Sequence, residues 1–168
     1  MCRVQISLRP TRPSDVDFVL AAERDPEANA RITVREREEH LAAIAWSESD
    51  HLLILENGEP AGFALLFGVG GGNRSIEIRT IVVTRPGAGI GRAALRLIVD
   101  RAFDEHGAHR VWLDVIDHNE RARRAYAAVG FRDEGTMRES WVNPDGEFES
   151  LVIASILEDE WPGASAPP

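Results

Sequence analysis

The pattern of apolar and polar positions predicts short strands alternating with helices. Residues 5–9 alternate apolar with polar side chains, as a half-buried strand does. Ser14 is a suitable N-cap for a first helix, which we expect to end near Glu23. The amphipathic spacing that follows the charged stretch 35–39 predicts a second helix ending near Ser47. The first third of the chain is therefore expected to be polar and helical, with residues 24–29 in turns.

The middle of the chain predicts a β-hairpin and then a buried strand. Two apolar runs, 52–55 and 61–67, flank Asn57-Gly58, a pair that supplies the positive φ angles of a tight hairpin turn. The glycines at 70–72 are interpreted as a flexible loop, because no helix pattern follows them. The apolar run 75–84 is typical of a central strand.

The second half of the chain predicts two strand–helix units and a closing hairpin. An apolar stripe from Ile90 to Ala102 indicates a helix, and Asn119 caps another helix that Gly130 ends. Strands are expected at 110–117, 131–137 and 148–157. Without an internal repeat or linker, residues 1–161 are expected to form a single domain and 162–168 a disordered tail.

Composition excludes several classes of protein. Of 168 residues, 43% are hydrophobic and 28% are charged, which suits a soluble domain with a full core. The net charge of -9 argues against nucleic-acid and anionic-membrane binding and favours cationic partners. All 19 basic residues are arginine, so Schiff-base, pyridoxal-phosphate and Walker A chemistry are excluded.

The cysteine and histidine content predicts neither disulfides nor a metal site. Cys2 is the single cysteine, which suits a reducing compartment, and no apolar run is long enough to span a membrane, so a cytoplasmic location is expected. The histidines form no metal-ligand pattern and are expected at the surface or in loops; they are His40, His51, His106, His109 and His118.

The strongest chemical signal is the glycine-rich loop between the strand at 75–84 and the following helix. Such a turn presents free backbone N–H groups and the positive end of the helix dipole to an anion. Residues 89–94 also satisfy G-x-G-x-x-A, with Asp114 as a ribose partner, which suggests a dinucleotide site. That interpretation requires more parallel βαβ units than the sequence predicts, so pyrophosphate is the favoured ligand.

Two sequence blocks resemble the GNAT superfamily of acyl-CoA-dependent N-acetyltransferases. The first is residues 81–83 running into Gly87-Ala88-Gly89-Ile90-Gly91-Arg92, similar to the family's pyrophosphate-binding motif. The second is Asn119-x-x-Ala122-x-x-x-Tyr126-x-x-x-Gly130-Phe131. The likeness covers roughly residues 5–157, and the segment 135–150 looks like the branch that acetylates ribosomal-protein N-termini or polyamines.

The resemblance implies an α/β (α+β) fold of three layers, with a mixed, mostly antiparallel sheet flanked by helices. The sheet is expected to splay near Val83 and admit acetyl-CoA as co-substrate. Pro86 stands where the family usually has arginine or glutamine, so the backbone amides should carry most of the phosphate binding. The implied cofactor-binding residues are Ile81, Val83, Gly87, Ala88, Gly89, Gly91, Arg92 and Asn119.

The resemblance also implies an acid–base pair. Glu77 would deprotonate the amine, directly or through water, and its structural alternative is an ion pair with Arg79 or Arg74. Tyr126 would protonate the leaving thiolate, since a phenol pKa near 10 and a thiol pKa of about 8.5 permit that transfer. The alternative for Tyr126 is a core tyrosine with a hydrogen-bonded hydroxyl.

We therefore expect transfer of an acetyl group to a primary amine by direct attack. The partner would be a small-molecule amine or a peptide N-terminus, without nucleic acid or membrane, and the family resemblance makes a homodimer a reasonable expectation. A non-catalytic acyl-CoA sensor and a dinucleotide-binding protein remain the alternatives.

Overall fold

A computed structural model describes residues 4–162, which form one seven-stranded sheet with helices on both faces. The strands are β1 (Ile6–Pro10), β2 (Ser49–Glu56), β3 (Glu59–Phe67), β4 (Ser75–Val83), β5 (Arg110–Ile116), β6 (Arg132–Val142) and β7 (Phe148–Leu157). The helices are α1 (Val16–Glu23), α2 (Pro26–Asn29), α3 (Arg37–Ala45), α4 (Ile90–Asp104) and α5 (Glu120–Val129).

The strand order is β1-β2-β3-β4-β5-β7-β6, and β4–β5 is the parallel pair in an otherwise antiparallel sheet. This arrangement confirms the predicted fold class. Residues 1–3, with Cys2, and residues 163–168 of the predicted tail lie outside the part of the chain that the structure describes.

Two cores lie on opposite faces of the sheet. Neighbouring residues of a strand point to opposite faces, and Leu52 and Leu53, both fully buried, accordingly belong to different clusters. Leu52 packs in the cluster that α4 covers, and Leu53 packs with Val19 of α1 and with Phe63. The sheet is thus a buried layer between α4 with α5 on one face and α1 with α3 on the other.

The local elements follow the sequence patterns closely, with a few differences. The Asn57-Gly58 turn joins β2 to β3, and both residues have positive φ, 51° and 89°. The first helix begins later than predicted, because Pro13–Asp15 forms a 3-10 turn and Asp15, not Ser14, precedes α1. Part of the stretch expected to form turns is the short helix α2, whose N-terminus Asp25 caps.

The sheet opens between β4 and β5. The two parallel strands pair only from Ser75 to Glu77, opposite Arg110 to Trp112, and then diverge. The sequence predicted the opening near Val83, but it begins several residues earlier, after Glu77. On its other side β4 stays paired with β3, with one extra residue, Arg79, between the pairs that Ile78 and Thr80 make. That β-bulge bends the strand where pairing with β5 stops.

None of the helices within residues 4–162 combines the length and apolar character needed to cross a membrane.

Candidate active site

The splayed strands enclose a cleft of about 680 Å³. Its walls are the second half of β4, the end of β5 and the start of α5, and the segments 18–35 and 137–151 complete it. Parallel strands that separate in this way leave the backbone of β4 unpaired on the cleft side. An extended ligand can therefore lie against β4 as an additional strand would.

The glycine loop lies at the end of β4, as predicted. Gly87 and Gly89 have φ of +94° and +80°, which favour glycine, and Gly89 precedes α4. Within the described residues, none of the N–H groups of Arg85 or of residues 87–89 donates to another residue. Of the predicted phosphate ligands, Gly87, Ala88 and Gly89 thus form an exposed turn with free amides, and Gly91 and Arg92 lie in the first turn of the 15-residue helix α4.

The side chains around this loop bear on phosphate binding. Arg85 forms an ion pair with Glu56 of β2, so its guanidinium is engaged. Arg92 is exposed at the start of α4, and Pro86 lines the cleft. The loop amides and Arg92 therefore offer the available positive potential.

Ile81, Val83 and Asn119 line the cleft, as predicted for cofactor contacts. Ile81 and Val83 pair with Ala64 and Gly62 of β3 on the side away from the opening. A Cβ at Gly62 would lie 2.2 Å from the carbonyl oxygen of Val82, so glycine permits this close approach of the two strands. Asn119 caps α5, since its Oδ1 accepts a hydrogen bond from the Ala122 amide at 3.3 Å.

Tyr126 lies on α5 with its ring against Phe131 and its side chain in the cleft wall. Burial, with a further contribution from the charge of Asp114, raises the pKa of Tyr126 to about 12. The hydroxyl makes no hydrogen bond to any residue in the range 4–162. Tyr126 is therefore a protonated donor on a side chain that lines the cleft.

Glu77 is buried on β4, with 8% of its surface exposed, and lies outside the cleft lining. Its Oε2 accepts a hydrogen bond from Arg79 Nη2 at 2.8 Å. Burial raises the pKa of the Glu77 carboxyl, and the Arg79 charge opposes that rise. The ion pair that the sequence offered as an alternative is thus present with Arg79, whereas Arg74 pairs with Glu158.

Asp114 is a second carboxylate in the site, and its position in the sequence suggested only a ribose ligand. It lines the cleft from β5 and has no hydrogen-bond or ion-pair partner among residues 4–162. Burial raises the pKa of the Asp114 carboxyl, opposed by Arg79. Its charge adds to the effect of burial in raising the pKa of both Tyr126 and Glu77. The signal for it was a polar residue within the apolar alternation of strand 110–117.

The histidine prediction is wrong for two of the five residues. His40 and His51 are 0% and 4% exposed, and each ring bonds to the other in the core. No pattern of spacing marked them, because their partners are distant in sequence.

His118 is exposed and pairs with Glu149 at 2.8 Å. Asp117, His118 and Glu149 are close enough together to bind one metal ion. The exposed ion pair of His118 with Glu149 explains their proximity without a metal.

Comparison with known proteins places the chain in a family. Residues 18–131 match the model described as the acetyltransferase (GNAT) family. The chain is 33% identical over 112 residues to YdaF of Bacillus subtilis (strain 168), provisionally named a ribosomal N-acetyltransferase, covering 66% of this chain and 60% of that protein. It is 26% identical over 117 residues to spermidine N(1)-acetyltransferase of Escherichia coli (strain K12), covering 68% and 62%. The chain thus spans less than two thirds of either relative.

The fold is similar to that of spermidine N-acetyltransferase from Vibrio cholerae, solved in complex with CoA and spermine. The TM-score is 0.84 at 20% identity, covering 93% of this chain and 97% of the other. The family match over most of the chain, on a sheet that opens ahead of a glycine loop, shows that the chain belongs to the GNAT acetyltransferase family.

Proposed function

We propose that this protein is an acetyl-CoA-dependent N-acetyltransferase that acetylates a primary amine. The observation that carries the proposal is the opening between β4 and β5, which leads from the free amides of the glycine loop to the hydroxyl of Tyr126. Relatives with names that specify N-acetyl transfer support the same conclusion.

Acetyl-CoA fits the chemistry of the two halves of this opening. The amides of residues 87–92 stabilise the pyrophosphate, and the unpaired edge of β4 at Ile81 and Val83 pairs with the pantetheine amides. Asn119 in the cleft wall and Arg92 at the start of α4 are our candidates for contacts with the rest of the cofactor. No metal ligand is required for this mode of binding, since backbone amides and one guanidinium supply the positive potential.

Direct transfer requires a base for the incoming ammonium and an acid for the departing thiolate. We assign the acid to Tyr126, because its hydroxyl is protonated at neutral pH and its side chain lines the cleft. Asp114 is the better placed base, because its free carboxylate lines the cleft. Glu77, the base that the family resemblance implies, would first have to leave Arg79 or act through water. A raised carboxyl pKa makes either group a stronger base than an ordinary carboxylate.

The acceptor is a small-molecule amine or a peptide N-terminus, in a protein that we expect to act as one domain over residues 1–161. A homodimer in the cytoplasm remains our expectation. The family resemblance supports the homodimer. The single cysteine, which leaves no pair for a disulfide, suits the cytoplasm.

The test is amine-dependent thiol release from acetyl-CoA, followed with a chromogenic thiol reagent across polyamines, amino acids and peptides. We expect release with at least one class of amine and a loss of turnover in Tyr126→Phe. Asp104→Asn, a change at an exposed carboxylate of α4, is the matched control and should leave release unchanged. Binding of acetyl-CoA without release by any amine would contradict the proposal and favour an acyl-CoA sensor.

A further inference from the structure

A chain of four buried polar side chains crosses the core between β1 and the cleft wall. Thr11, His51, His40 and Glu23 are each at most 5% exposed. His51 Nδ1 lies 2.9 Å from Thr11 Oγ1, and its Nε2 lies 3.0 Å from His40 Nδ1. His40 Nε2 lies 3.1 Å from Glu23 Oε2. Buried polar groups at such distances are costly unless every member is satisfied.

One assignment of protons satisfies the chain with both histidines neutral. Glu23 Oε2 also accepts from the Arg35 amide at 2.9 Å, so Glu23 is an acceptor and His40 Nε2 donates to it. His40 Nδ1 then accepts from His51 Nε2, and His51 Nδ1 accepts from the Thr11 hydroxyl. Burial lowers the pKa of His51 to about 4, so its ring is neutral near neutral pH, and the charge of Arg35 acts in the same direction, opposed by Asp50. The chain ends in a single carboxylate charge on Glu23.

That carboxylate lies against the guanidinium of Arg35. Glu23 Oε1 is 3.7 Å from Arg35 Nη1 and has no hydrogen-bond partner, the one such buried side-chain oxygen or nitrogen within the described residues. Arg35 Nη1 donates to Thr80 Oγ1 of β4 at 3.0 Å and to the Thr33 carbonyl at 3.3 Å. The guanidinium is therefore fixed against β4 in the cleft wall.

Some N–H donors of the Arg35 guanidinium have no hydrogen-bond acceptor within residues 4–162. A guanidinium has five N–H donors, and the bonds to Thr80 and Thr33 both use Nη1. Nε and Nη2 donate to no residue in the range 4–162, and since neither is a buried unsatisfied atom, solvent reaches both. Arg35 lines the cleft, so these N–H groups are available to a ligand there.

We propose that Arg35 binds an oxygen of the acceptor, so that the preferred substrate is an amine that also carries a carbonyl or carboxylate group. This inference rests on the proposed function and narrows its acceptor. A fixed guanidinium with free N–H groups matches a carbonyl or carboxylate oxygen, whereas the second ammonium of a polyamine would be repelled by it.

Asp114 and Arg35 together explain this preference. Both side chains line the cleft. The carboxylate of Asp114 can accept from the amine, and the remaining N–H groups of Arg35 can donate to the oxygen. Glu23, with His40 behind it, is a positioning residue for Arg35.

The test compares Arg35→Gln with the wild-type protein on alaninamide, alanine and ethylamine. For each acceptor, kcat/KM of Arg35→Gln is divided by that of the wild type, so differences in amine pKa between the acceptors cancel. We expect kcat/KM to fall about 10- to 100-fold for alaninamide or alanine, the range for a hydrogen bond to a charged group, and to change little for ethylamine. A loss confined to alaninamide indicates a peptide-type carbonyl, and a loss confined to alanine indicates a free carboxylate. Arg132→Gln, which changes an exposed arginine of β6, is the control.

An equal loss with all three acceptors, or no loss with any, would overturn the proposal. Calorimetric binding of alaninamide and alanine to the CoA-loaded protein tests it without turnover. If no amine releases thiol, the proposed function fails. Weaker binding of either oxygen-bearing acceptor in Arg35→Gln would still support this inference, and unchanged binding of both would refute it.

The positioning role is tested with Glu23→Gln, which keeps an acceptor for His40 and removes the charge beside Arg35. We expect a higher KM for the oxygen-bearing acceptor, little change in kcat, and ethylamine kinetics like those of the wild type. A purely structural role would instead lower the melting temperature and reduce activity on all acceptors alike, and that result would contradict the positioning role.

Discussion

Replacing Asp114 with asparagine shows which of two carboxylates, Asp114 or Glu77, acts as the base. Asp114→Asn keeps the size of the side chain and removes a free, cleft-facing charge. Glu77→Gln removes a charge that Arg79 already neutralises outside the cleft lining. If Asp114 is the base, its loss should cost the full contribution of general base catalysis, about 10²- to 10⁴-fold in kcat/KM. Glu77→Gln should cost less than about 10-fold on the same scale.

The pH dependence gives a second, independent readout. Asp114 acts as base only when ionised, and its raised pKa shifts the acidic limb of kcat/KM above the ordinary range of aspartate. The limb should disappear in Asp114→Asn. Because the fold disfavours the ionised form, the wild type loses stability as pH rises through the folded-state pKa. Asp114→Asn should therefore melt at a higher temperature at neutral pH, and the difference should vanish below the unfolded-state pKa.

The assay is thiol release at saturating acetyl-CoA across a pH series, with melting curves in the same buffers. Asp104→Asn on α4 controls for the loss of one carboxylate at an exposed position. The reasoning is refuted if Asp114→Asn retains activity and the acidic limb while Glu77→Gln loses both. That result would assign the base to Glu77.

Three further changes test other parts of the site and core. Tyr126→Phe should lower turnover at least about 10²-fold with nearly unchanged acetyl-CoA affinity, since it removes only the proton donor; steady-state kinetics with calorimetry checks this. Gly89→Ala places a Cβ at φ +80°, a conformation that costs about 1–2 kcal/mol, and should weaken acetyl-CoA binding roughly 5- to 30-fold by calorimetry. Phe63→Ala empties a fully buried position between His51 and α1 and should cost about 3–5 kcal/mol of unfolding free energy in urea.

Local signals in the sequence predicted most of the fold. Asn57-Gly58 marked the first hairpin because few other residues adopt its φ angles, and the apolar stripe from Ile90 to Ala102 marked α4. Helix α2 was missed, because four residues are too short for a hydrophobic period to show. Its local indications were the cap Asp25 and Pro26 at the first helical position.

The chemistry of the cleft was less predictable, because it depends on contacts between distant segments. Tyr126 was identified through the resemblance of the block from Asn119 to Phe131 to the GNAT family, and a single helix, α5, carries most of that block. His40 and His51 are 11 residues apart, and Arg35 and Thr80 are 45 apart. No sequence periodicity therefore indicates that either pair is in contact. Asp114 was visible in the sequence but was assigned to a dinucleotide site, since its exposure to the cleft depends on where β4 and β5 separate.

Calorimetric titration of the wild-type protein with acetyl-CoA, CoA and NADH in parallel is the most direct test that the opening between β4 and β5 is an acetyl-CoA site. We predict micromolar binding of acetyl-CoA and CoA, weakened in Gly89→Ala, with no binding of NADH. Failure to bind either form of coenzyme A would contradict the account, and binding of NADH alone would replace it with a dinucleotide site.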